Sequence, residues 1–125
     1  MAGITMDTGG LIAVDRADRR VLVLLARARE KGARVTVPAT ALAQAMRQPE
    51  RQARLSRLVR QPGTDVVALD RVEATYVGRL LAASRTTDIV DAHVVICARR
   101  TAEQVVTSNP DDLRALDPTI RLVVV

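Results

Sequence analysis

TTDIVDAHVVICARRTAEQVVTSNPDDLRAL, residues 86–116, decides the fold class of this chain. Asp88 and Asp91 stand in the first turns of an apolar helical pattern over 87–100, and the short β-type run QVVTS follows at 104–108. Asn109 and Pro110 then read as the cap and first residue of a last helix, which carries Asp111 and Asp112. Working outward, the same alternation recurs. GITMD at 3–7, ARVTVP at 33–38, DVVAL at 65–69 and IRLVVV at 120–125 are strand-like. DRRVLVLLARAREKG at 18–32, with Gly32 as its stop, ATALAQAMRQ at 39–48, PERQARLSRLVRQPG at 49–63 and RVEATYVGRLLAAS at 71–84 are helical. Strands alternating with helices predict an α/β fold, a small parallel sheet flanked by helices. No repeat, low-complexity tract or linker interrupts the pattern, so residues 1–125 are expected to share one core as a single domain.

Composition narrows the function classes. No run of apolar residues is long enough to span a bilayer, and MAGITMD lacks the basic flank and apolar centre of a secretory signal, so the expected location is the cytoplasm, with no membrane partner. Cys97 is the one cysteine, and VVICA marks it as a small buried apolar residue. The formal charge is +5 despite 14 acidic residues, and nearly all the positive charge is arginine. Such a surface attracts polyanions, although an arginine-rich chain also follows from a biased base composition. Tyr76 is the only aromatic residue, so any nucleic acid is held by charge, backbone contacts or metal, not by base stacking. Arg47, Arg51, Arg54, Arg57 and Arg60 recur every three or four residues, a spacing that fits a solvated helix face as well as an RNA- or partner-contacting one.

The acids define a candidate site. Asp7 ends the first strand, and ligands of open α/β sheets bind at that edge. Asp88 and Asp91 are about 60° apart around a helix and face one direction. Each also has a local explanation: Asp7 and Asp88 suit helix caps, and Asn109 with Asp112 resembles a capping box. Together they repel one another, a cost a fold tolerates when a cation sits among them. Hard oxygen ligands suit Mg²⁺ or Mn²⁺, and the lack of a Cys/His cluster argues against zinc. His93, two residues after Asp91, points elsewhere on the helix as a structural histidine.

These segments resemble the PIN domain, and within it the VapC-like ribonuclease toxins of bacterial toxin–antitoxin pairs. MDTGGLIA is similar to the first strand and acidic turn, VTVPATALAQAMR to the second strand and its helix, TTDIVDAHVVICARR to the third acidic segment, and VVTSNPDDLRAL to the T-x-N-x-x-D close. The resemblance covers the whole chain and implies a PIN-like three-layer fold that often dimerises. It implies that Asp7, Asp91 and Asp112 are catalytic, metal-binding acids, that Asp88 is an accessory metal ligand, and that Thr107 and Asn109 support the site. It further implies Mg²⁺- or Mn²⁺-dependent hydrolysis of RNA phosphodiesters and an antitoxin protein as partner. The family's usual glutamate is replaced by Gln44, whose amide oxygen can still ligate a cation but adds no negative charge. That substitution keeps open a second reading, a catalytically weak PIN-like module that binds RNA or a partner. DTG at 7–9 also occurs in aspartic proteases, which are excluded by the helical content, and a D-x-D phosphatase would need a carboxylate at Gly9.

Overall fold

The computed structural model describes residues 3–125. Strands β1 (Ile4–Met6), β2 (Val35–Pro38), β3 (Thr64–Val67), β4 (Gln104–Thr107) and β5 (Leu122–Val124) form one sheet in the order β3-β2-β1-β4-β5. Every pairing is parallel. The chain first builds outward from β1 to β3, then crosses back and continues from β4 on the other side, which places a topological switch point between β1 and β4. The central strands are apolar because both faces are covered, whereas edge strand β3 is largely exposed and carries Thr64 and Asp65.

Helices α1 (Thr8–Asp15), α2 (Arg19–Glu30), α3 (Ala39–Ala45), α4 (Ala53–Arg60), α5 (Arg71–Ser84), α6 (Ile89–Thr101) and α7 (Pro110–Leu116) supply the outer layers. α1 packs with α2 and α4, while α6 packs with α5 and α7, and α3 touches both α1 and α6. The core runs through Met6, Leu11, Val37, Leu55, Val94, Val95, Val105, Val106 and Leu113. This is the PIN-like three-layer arrangement that the resemblance implied. Gly32 stops α2 as expected, at φ +64°.

Two local expectations need correction. Residues 49–63 do not form one helix: a 3₁₀ turn, Pro49–Arg51, is separated from α4 by Gln52. The buried Gln52 side chain accepts from the backbone N–H groups of Arg47 and Gln48, at 2.9 and 2.8 Å, and donates to the Ala45 carbonyl at 2.9 Å. One amide therefore closes the corner left by the end of α3, at the cost of helical continuity. Nor does Asn109 form a capping box: its side chain caps no backbone N–H, and its amide donates instead to the Asp112 carboxylate at 2.5 Å.

Candidate active site

Asp7 follows β1, and its backbone N–H donates to the Val106 carbonyl of β4 at 3.2 Å, tying the residue to the switch point. Its side chain is 5% exposed, and its Oδ1 accepts from the Gly10 N–H at 2.8 Å, capping α1. This packing explains DTGG. A Cβ on Gly10 would lie 2.7 Å from the Val106 carbonyl oxygen, so only glycine lets the first turn of α1 rest against β4. Burial raises the Asp7 pKa, opposed by hydrogen bonds from the Thr107 side chain and from the Gly10 and Gly9 backbone.

Asp88 caps α6 by accepting from the Asp91 N–H at 2.9 Å. Asp88 is exposed and Asp91 half-buried. Capping and ligation are compatible here, since one carboxylate oxygen serves the helix and the other is left over. The Asp91 pKa is pushed up from the ordinary 3.8 to about 6, first by burial and then by the negative charges of Asp88, Asp112 and Asp7. Strands β1 and β4 and helices α6 and α7 thus bring all four acids into one electrostatic neighbourhood at the carboxyl edge of the sheet. Among the described residues none of the four has an ion-pair partner, although Arg99, Arg100 and Arg114 pair with Asp117, Glu73 and Asp111.

The supporting residues hold the rim. The buried Thr107 hydroxyl accepts from the Asn109 N–H at 2.9 Å, and Asn109 in turn orients Asp112. Gln44 is exposed on α3, and its Oε1 accepts from the Thr8 hydroxyl at 2.6 Å, next to Asp7 in sequence. The acids stay open, however. Among the described residues, the one group of three Asp, Glu, His or Cys side chains whose ligating atoms all lie within 4.8 Å is Glu73, His93 and Cys97, so no three of the aspartates are that close together. Mg²⁺ tolerates such a set, because it binds through one or two carboxylates and keeps several waters. Uncompensated negative charge and oxygen-only donors fit a hard divalent cation.

The buried group was missed because its members come from two helices. Glu73 lies on α5, and His93 and Cys97 on α6, at 3%, 0% and 2% exposure. The expectation that no Cys/His cluster exists is therefore wrong: the i, i+4 spacing of His93 and Cys97 was visible in the sequence, but its glutamate partner was not. A concavity of about 1270 Å³ lies at the opposite edge among Gly32, Arg34, Gly63, Thr64 and Glu103. The acids lie apart from it and grade from buried Asp7 through half-buried Asp91 to exposed Asp88.

An all-parallel five-stranded sheet between two helical layers, with acids at its switch point, is a PIN-like α/β fold. Among solved structures, a chain of the FitAcB crystal structure from Neisseria gonorrhoeae matches with a TM-score of 0.65 and 16% identity over 95% of each chain. A chain of FitAB bound to an IR36 DNA fragment matches at 0.64 and 14%, covering 96% of this chain and 93% of the other. A chain of VapBC2 from Rickettsia felis, bound to a DNA fragment from their promoter, matches at 0.64 and 13% over 96% of each. At such identities the likeness is one of fold. No family model matches the sequence, and no curated protein matches it.

Proposed function

We propose that this chain, acting as one PIN-like domain, is a Mg²⁺- or Mn²⁺-dependent endoribonuclease and the toxin of a toxin–antitoxin pair. The observation that carries this reading is the unpaired carboxylate cluster, in which Asp91 is raised to about 6 by burial and by its three acidic neighbours. Asp7, Asp88, Asp91 and Asp112 would hold the cation. When bound, the ion supplies positive charge that activates water and stabilises the charge developing on the phosphodiester. Asp7 is fixed in place by the α1 cap and Thr107, and Asn109 holds Asp112, so two of the four acids are already oriented. The net positive charge draws RNA towards an edge that by itself would repel phosphate. Fold likeness to chains from FitAB and VapBC2 complexes supports an antitoxin partner. An arginine from that partner, bridging two of the carboxylates, would displace the cation. Val72 and Tyr76, exposed on α5, offer apolar surface for a homodimer. Among the described residues no helix is long and apolar enough to cross a membrane, and the proposed location is the cytoplasm.

RNA incubated with the purified chain should be cut with Mn²⁺ or Mg²⁺, and EDTA, Asp7→Asn or Asp91→Asn should abolish cutting. Cleavage by both variants at the parent's rate would refute the assignment. Gln44 favours a second reading, a binding module without cleavage: it is neutral, and its oxygen already accepts a hydrogen bond from Thr8. RNA retained by the parent without cutting at saturating Mn²⁺ would select that reading.

A further inference from the structure

We infer that Glu73, His93 and Cys97 form a second metal site, a zinc site between α5 and α6, distinct from the aspartate edge. The three ligating atoms all lie within 4.8 Å of one another. Glu73 Oε1 is 3.4 Å from His93 Nε2 and 3.6 Å from Cys97 Sγ. A tetrahedral zinc ion, with bonds of about 2.3 Å to sulfur and about 2.0 Å to nitrogen or oxygen, separates its ligands by about 3.3 Å for N···O and about 3.5 Å for S···O. Two of the three ligand–ligand separations are thus already at length, and the third is within 4.8 Å. His93 and Cys97 sit at i and i+4 on one face of α6, a spacing that lets one helix supply two ligands.

An independent observation is the state of the imidazole. His93 is 0% exposed, and its Nδ1 is bonded to the Thr40 hydroxyl at 2.7 Å. Its Nε2 has no hydrogen-bond partner and is aimed at the Glu73 carboxylate. A hydrogen bond on one nitrogen that leaves the other directed at a carboxylate is the arrangement of a metal-bound histidine. The other carboxylate oxygen, Glu73 Oε2, accepts from half-exposed Arg100 at 2.6 Å, and water would complete the ion's four ligands. When zinc enters, the Cys97 S–H bond breaks, its proton leaves to buffer, and the S–Zn bond forms. One carboxylate, one thiolate and one neutral imidazole are a borderline donor set that suits zinc and not Mg²⁺. The ion would pin α5 to the helix that carries Asp88 and Asp91.

The experiment is titration of the chelator-stripped full chain with Zn²⁺, and with Co²⁺ as its spectroscopic stand-in. Expected are one zinc per chain, a Tm that rises with zinc concentration, and a sulfur-to-cobalt charge-transfer band. Cys97 is the only thiol in the chain and the aspartate edge offers oxygen alone, so the parent's band decides the site even if Cys97→Ala fails to fold. Thr40→Val should keep the band and weaken zinc binding about tenfold or more. Absence of zinc binding, or binding without a sulfur band, would overturn the inference and leave these side chains as a hydrogen-bonded core. Neither result bears on cleavage at the aspartates.

Discussion

Replacing Asp91 by asparagine should stabilise the metal-free chain, because the fold holds this carboxylate where ionisation is disfavoured. Its pKa moves from 3.8 to about 6, and at about 1.4 kcal/mol per pH unit that gap is at most about 3 kcal/mol. The group is half-buried, so solvent screening reduces the figure to roughly 1.5 kcal/mol. The macrodipole of α6 favours an acid in its first turn by about 0.5 kcal/mol, which leaves roughly 1 kcal/mol in favour of Asp91→Asn near pH 7.5. For a chain of this size that is a Tm increase of about 4 °C. The sign follows from linkage: between about pH 4 and 6 the folded parent holds more protons than the unfolded one, so its stability rises as pH falls. The variant's advantage should therefore be full above pH 7 and vanish near pH 4. Thermal melts in EDTA across that range measure it. Mn²⁺ should reverse the order, raising the Tm of the parent and not of the variant. Parent and variant melting together at pH 7.5, with the same pH profile, would show that the acids do not share a field.

Gln44→Glu keeps the acceptor for the Thr8 hydroxyl and adds a charge at nearly unchanged volume, so calorimetry should show tighter Mn²⁺ binding with no loss of fold. Identical binding in both proteins would place residue 44 outside the ion's reach. Gly10→Ala puts a methyl group 2.7 Å from the Val106 carbonyl oxygen and should push α1 off β4, costing roughly 1–3 kcal/mol in urea denaturation and lowering metal affinity through Asp7. A wild-type urea midpoint would contradict that contact. Gln52→Ala removes three hydrogen bonds at the end of α3 and should cost about 2 kcal/mol while leaving the acids intact. An unchanged midpoint would mean that water replaces all three.

Much of the secondary structure was legible because its signals are local. Asp7, Asp88 and Gly32 terminate helices through bonds or dihedral angles within a few residues, and the expected strands lie close to those observed. The acids, too, could be singled out, since a carboxylate at a strand's end or in a helix's first turn can be located by its neighbours in sequence. The break at Gln52 escaped notice because its three bonds depend on how α3 ends, and a run of helix-compatible residues gives no sign of that.

The sequence by itself therefore determined most of the strands and helices, though not the break at Gln52, and which carboxylates stand at their ends, because backbone periodicity and capping act over three or four residues. Tertiary structure alone decided the strand order β3-β2-β1-β4-β5, and with it the meeting of Asp7 with residues 88–112 at one edge. It also decided that Glu73 faces His93 and Cys97 across two helices, and that Gly10 is required by a carbonyl of β4. Each depends on groups far apart in the chain that meet only when the sheet closes and the apolar faces of α1 and α6 are buried against it. No window of neighbouring residues contains that burial, the dominant favourable term in folding.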